Sequence, residues 1–263
     1  MVTFTSTELN VWIASFLWPL TRILGLVATA PVFGNLSIPV RVKLGLGIML
    51  SILVGPTVPA LPAADPMSFA GLLIVLQQLV IGLAMGFAMR LVFAAVEMAG
   101  EICGLTMGFG FATFFDPQTR ARSSAIAQFL ALLTLMLFLA TNVHLVMLST
   151  LAESFVAIPI TAQPTGTGGF HQLVKWGGII FSSGVQLALP MIAALLLINI
   201  ALGILTRAAP QLNLFGIGFP VTLAVGFLVL ALILPYLAVP MQKLFEEGNV
   251  FMQQMLVSHQ GKR

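Results

Sequence analysis

The sequence predicts an all-α integral membrane protein, and three observations carry that reading. Hydrophobic residues fill 59% of the 263 positions and charged residues 7%, against about 25% charged in a soluble domain, whose surface must be hydrated. So few charges cannot cover a chain of this length, and its surroundings must be lipid, partner protein or both. The apolar residues are gathered in six stretches, roughly 11–33, 42–61, 67–96, 123–152, 173–206 and 208–239. Each reaches the roughly 20 residues that a helix needs to cross a bilayer core. Proline and glycine punctuate the intervals, so helices joined by turns are expected throughout.

The first stretch has the look of a cleavable signal, since Ala28-Thr29-Ala30 follows an apolar run. However, the first ten residues hold Glu8 and no Lys or Arg, and Arg22 interrupts the apolar run. A signal peptide wants the opposite pattern, so a retained helix is expected. Arg22 stands mid-stretch, where an unpaired charge costs at least about 2.5 kcal/mol. The first two stretches match a single span, with proline-marked turns at 35–43 and 59–66. The last four are longer than a span and must tilt, break or lie partly enclosed by protein.

Within and after the third stretch, Gly82 and Gly86 make one G-x-x-x-G pair, and Gly100, Gly104 and Gly108 continue the spacing. Four residues is about one helical turn, so each set offers a flat stripe for close helix approach. Such stripes serve either contacts with partner subunits or packing within the chain. Arg90, Glu97 and Glu101 fall seven and four apart on one helix face. The two glutamates repel at that spacing and want a cation from Arg90, Arg120, Arg122 or a neighbouring subunit. They read either as ion pairs orienting a loop or as the proton or ion site of a transporter.

Next comes Met107-Gly108-Phe109-Gly110-Phe111-Ala112-Thr113-Phe114-Phe115-Asp116-Pro117-Gln118. Its glycines weaken a helix and Asp-Pro favours a turn. A loop this rich in Phe must be buried against something. One place for it is the inside of a pore, which its rings would close; the other is beneath its own helices. The loop at 161–169 is the best internal boundary, with four helical stretches before it and one hairpin after. Pro190, Gly216, Gly218, Pro220, Pro235 and Pro240 mark the last two stretches as kinked or re-entrant, or as ordinary membrane helices carrying proline. After Pro240 the pattern turns amphipathic, which predicts a helix leaving the apolar zone to meet water or a partner. Arg22, Arg90, Glu97, Glu101 and Arg207 are the charges expected to be taken out of water.

Several function classes find no support. A net charge of +3, scattered along the chain, makes no basic face for nucleic acid. Cys103 is the lone cysteine, and His144, His171 and His259 have no second ligand at metal spacing, so no metal or cofactor is expected. Nucleotide-binding and nucleophile motifs are missing, and an enzyme reading would fall back on His144 and Glu153. A secondary transporter built on Arg90, Glu97 and Glu101 should show two matched halves, and no convincing repeat is present. Basic residues divide almost evenly between the two sides of six alternating spans and set no orientation.

The order of these features resembles a known family. The loop Gly110-Phe111-Ala112-Thr113-Phe114-Phe115-Asp116-Pro117 comes first, followed by a Leu-rich helix with Asn142-Val143-His144. The third part is Arg207-Ala208-Ala209-Pro210-Gln211-Leu212-Asn213-Leu214-Phe215-Gly216-Ile217-Gly218-Phe219-Pro220. Together they resemble the FliR/YscT/SpaR family of type III secretion export-gate proteins across essentially the whole chain. Pro210, Gln211 and Pro220 belong to the most specific run, and its Gly-Phe-Pro version points to the flagellar rather than the injectisome branch. The resemblance implies a FliP-like helical part over 1–165, with a plug loop at about 104–122. A FliQ-like hairpin with an amphipathic tail follows over 166–263. It further implies one copy of this chain joined to several FliP and FliQ copies in the bacterial inner membrane, within the flagellar basal body. FlhB, FlhA and rod proteins would lie nearby, and unfolded export substrates would pass through. Phe111 and Phe114 match the family's plug aromatics, with Phe109 and Phe115 beside them, and no catalytic residue is implied.

Overall fold

The computed structural model describes residues 6–59, 61–62, 64–109, 124–163, 168–209 and 218–257. Among them are eight α-helices and no strand. They are α1 (Ser6–Thr29), α2 (Val40–Val54), α3 (Phe69–Met107), α4 (Ala125–Ala140), α5 (Val143–Ala157), α6 (Gly168–Trp176), α7 (Ile179–Ala208) and α8 (Phe219–Val257). The chain is an all-α membrane protein, with five helices long and apolar enough to cross a bilayer, or six if the bent pair α4–α5 counts as one span.

Local signals account for the boundaries. Pro39, the N-cap of α2, stands at φ −57° and ψ 141°, outside the helical region, and the Gly55–Thr57 turn, carrying Pro56, follows the helix. The expected fourth stretch is divided at Asn142, which takes φ 56° between α4 and α5. Asparagine is among the few residues with side chains that tolerate that left-handed conformation.

Other expectations are corrected. The third stretch does not stop at 96: α3 continues to Met107 and carries Glu97 and Glu101 inside the helix. The sixth does not begin at 208, where α7 ends, but at Phe219. It also does not stop at 239: α8 absorbs the amphipathic tail. Neither Pro190 in α7 nor Pro235 and Pro240 in α8 ends its helix. Breaking a helix in apolar surroundings would strand several backbone groups, whereas one proline removes a single donor.

The helices sort into two compact units. The first holds Met1–Leu91, Asn142–Gly177 and Phe245–Arg263; the second holds Val92–Thr141 and Gly178–Leu244. Both α3 and α8 contribute to each. In the first unit Trp18, Ile23 and Leu26 of α1 are buried, as are Met85 and Met89 of α3 and Phe155 of α5. The α8 tail closes this core with Phe245, Phe251 and Met252, while Lys243, Glu246, Glu247, Gln253 and Gln254 stay exposed. Phe251 stacks on Trp176 of α6 at 4.6 Å, and the Trp176 indole N–H donates to the Ala88 carbonyl at 3.2 Å. Thus the tail's apolar face is covered by its own chain and its polar face is free. In the second unit Phe93 and Phe138 meet edge to face at 5.4 Å.

Candidate functional site

The end of α3 gathers the residues that bear on the Phe-rich segment. Gly108 stops the helix by adopting φ 92°, a region that costs glycine little. Its N–H donates to Leu105 O at 3.0 Å and the next N–H, of Phe109, donates to Gly104 O at 3.0 Å. That pair of bonds closes the otherwise unpaired carbonyls of a helix C-terminus. The Phe109 ring then packs edge-on against Phe227 of α8, with centroids 6.1 Å apart. Beside it, a Cβ on Gly226 would lie 2.6 Å from Met107 Cγ, so glycine lets α8 close on the end of α3.

The chain returns to the same place at Ser124, the N-cap of α4. The Ser124 hydroxyl accepts the Ala127 N–H at 3.1 Å and donates to Gly100 O at 3.3 Å. Its backbone N–H donates to the Glu101 carboxylate at 2.8 Å. A Cβ on Gly104 would sit 2.7 Å from Ser124 Oγ, and one on Gly100 would sit 2.4 Å from Ala127 Cα. Phe109 and Ser124, the described residues on either side of 110–123, therefore both bond to the last turns of α3. A carboxylate at the N-terminus of α4 also meets the positive end of that helix's dipole.

The five singled-out charges have different fates. Arg22 is fully enclosed and Glu101 is half-buried, while Arg90, Glu97 and Arg207 are exposed on this chain rather than enclosed by it. Arg207 lies in the last turn of α7, where a cation suits the negative end of the helix dipole. Arg22 is held within the first unit. Its Nε donates to Gln78 Oε1 of α3 at 2.9 Å, and one terminal nitrogen reaches the same oxygen. The other contacts are Ser154 O at 2.8 Å, Ser154 Oγ at 3.1 Å and Ile158 O at 2.8 Å. The guanidinium lies 4.4 Å from the centre of the Phe155 ring.

Gly82 and Gly86 face α1: added Cβ atoms would lie 2.0 Å from Arg22 O and 2.2 Å from Thr29 Oγ1. The Thr29 hydroxyl donates across to Leu83 O at 3.1 Å. Pro220 is exposed in the first turn of α8, a position that tolerates proline. Phe111, Phe114, Phe115, Pro210 and Gln211 lie outside the described residues, and of the four phenylalanines expected to form a plug only Phe109 is among them.

Sequence reasoning missed Gln78, Ser124, Ser154 and Phe227. The available signal for the first and third was a polar side chain inside an apolar helix, which demands a partner. A void of about 20 Å³ in the second unit is lined by apolar side chains with Cys103, Met191 and Met241. Small-molecule sites run to roughly 300–1,000 Å³. Among the described residues, no three His, Cys, Asp or Glu side chains group as a metal site.

The family profile described as bacterial export proteins, family 1, matches residues 13–248. The chain is 47% identical over 247 residues to the flagellar biosynthetic protein FliR of Pectobacterium carotovorum subsp. carotovorum, covering 94% of each chain. It is 44% identical over 247 residues to that of Escherichia coli strain K12, again covering 94% of each. It is 36% identical over 257 residues to that of Buchnera aphidicola from Acyrthosiphon pisum, covering 98% of this chain and 99% of the relative.

Proposed function

The chain belongs to the bacterial export proteins, family 1, and is a component of the flagellar export apparatus; from that premise we propose that it is a pore-forming subunit of the export gate. In this reading one copy joins several FliP and FliQ copies in the inner membrane at the flagellar basal body, near FlhB, FlhA and the rod proteins. Residues 1–165 act as the FliP-like part and 166–263 as the FliQ-like hairpin. Unfolded rod, hook and filament proteins pass through the channel, and the chain performs no chemical step.

The observation that carries the reading is that the described residues flanking the Phe-rich segment, Phe109 and Ser124, both bond to the last turns of α3. The plug itself is assigned to Phe111 and Phe114, with Phe109 and Phe115 flanking. Exposed apolar surface is left for lipid and partners to cover: only 17% of the most apolar part of the 171–208 stretch is buried by this chain, against 67% for α3.

Replacing Phe111 and Phe114 together with alanine should raise ion leak across the membrane of cells that still assemble the complex. Leak can be followed by growth and dye influx, and assembly by co-purification. Unchanged leak and secretion in an assembled complex would remove the plug assignment.

A further inference from the structure

We infer that the face of α7 carrying Asn199, Gly203 and Arg207 packs against a membrane helix of another subunit. That helix sets a small residue at Gly203, a hydrogen-bonding group at Asn199 and a carboxylate at Arg207. The inference deepens the subunit reading above and rests on it. The three residues fall four apart, so they share one face over the last turns of α7, and all three are exposed on this chain. Every residue from Ile192 to Leu205 other than Asn199 is apolar or glycine. Lipid offers an amide no hydrogen bond, and such groups in membrane helices are met by neighbouring helices. Glycine weakens a helix relative to alanine, yet a Cβ on Gly203 would meet nothing within 4 Å. Gly82 and Gly86, by contrast, have their obstructing atoms in α1. What Gly203 makes room for therefore lies outside this chain. Beside this row Leu196, Ile200 and Ile204 form a second one, also exposed. A ridge of large side chains next to a row notched at glycine is a relief that another helix fits. The ridge is too apolar for a water-filled neighbour, and the amide too polar for lipid. Arg207 sets the sign of the partner's charge, since a cation at the end of an apolar helix requires an anion.

The test uses the full chain, tagged and co-expressed with FliP and FliQ, and reads how much of either co-purifies per copy of this chain. Gly203→Leu fills the notch and is expected to lower co-purification about ten-fold, the effect of overpacking a close contact. Asn199→Leu removes one interhelical hydrogen bond and is expected to lower it about three-fold. Arg207→Glu sets like charges together and should release the partner as Gly203→Leu does; retention would overturn the charge match. Both leucine variants are more apolar and more helix-prone than the wild type, so a face covered by lipid would leave co-purification unchanged and overturn the inference. Asn199→Asp at the wild-type level would mean that water covers the face, and would overturn it too. An untagged copy of this chain recovered with the tagged one, and lost in Gly203→Leu, would make the occupant a second copy and overturn it. Expressed alone, the leucine variants should accumulate in membranes as the wild type does; lower levels of both would make these folding residues, and the inference falls. A wild-type chain that brings down neither FliP nor FliQ would remove the subunit reading itself, a result distinct from all of these.

Discussion

Arg22 is charged, fully enclosed, and bonded among the described residues to neutral oxygens alone. Its stability comes from where those oxygens sit. Ser154 is in the last turn of α5 and Ile158 is its C-cap, so their carbonyls lie at the negative end of the helix, Ser154 O accepting the Ile158 N–H at 2.8 Å as well as Arg22. Gln78 and the Phe155 face supply the rest, and together they engage the planar fork on every side. Replacing Arg22 with alanine strands Gln78 and the helix terminus. The expected cost is about 3 kcal/mol or more, seen as a lower melting midpoint of the purified complex in detergent. Lysine keeps the charge but lacks the fork, so Arg22→Lys should fall between alanine and wild type. A lysine variant as stable as wild type would show that charge alone suffices.

Between α1 and α3 the limiting quantity is backbone distance. Gly25 on α1 and Gly82 and Gly86 on α3 are each so close to the opposite backbone that a Cβ would overlap it. That geometry separates glycines that look alike in sequence. On Gly82 the obstructing atom is Arg22 O at 2.0 Å, which cannot move without parting the helices. On Gly47 it is the Leu24 Cδ2 methyl at 2.5 Å, the end of a side chain that can rotate. Gly82→Ala should therefore destabilise by about 1–3 kcal/mol, and should also disturb the Arg22 network. Gly47→Ala should be within about 1 kcal/mol of wild type, since alanine's helix preference offsets the crowding. Paired thermal melts check the contrast; equal losses would mean that the close approach does not set the tolerance. Gly108 belongs to a different case from Gly100 and Gly104, because it terminates α3 instead of packing against a neighbour.

Each unit has its own core, yet a large share of the chain's apolar surface remains outside both. On α7, Val185, Leu189, Leu196, Ile200 and Ile204 are all exposed at close to helical-turn spacing. Such a surface is covered by lipid or by partner subunits, and the partner reading makes a separate prediction. Expressed without FliP and FliQ, the chain should accumulate several-fold less than when co-expressed, as expected for a species that loses stabilising contacts. Quantitative blotting of membrane fractions measures this. Equal accumulation in both cases, with a monodisperse monomer in detergent, would count against partner-covered surfaces.

The all-helical membrane character was legible from composition and from apolar runs, because 7% charge leaves no other solvent for such a chain. The need of Arg22 for partners, the small-residue stripe at Gly82 and Gly86, and the stop at the Phe-rich segment were legible too, since each breaks a local rule that lipid enforces. Local rules could not say which oxygens receive Arg22, since those partners are separated from it by 56 to 136 positions. Nor could they say that Glu101 receives the backbone N–H of Ser124, that α8 runs through two prolines, or that its tail folds back on Trp176. Such outcomes depend on which surfaces come within a few ångströms of each other. That proximity is a property of packing between distant segments, where hydrogen-bond geometry and steric fit choose among partners that the linear pattern leaves equivalent.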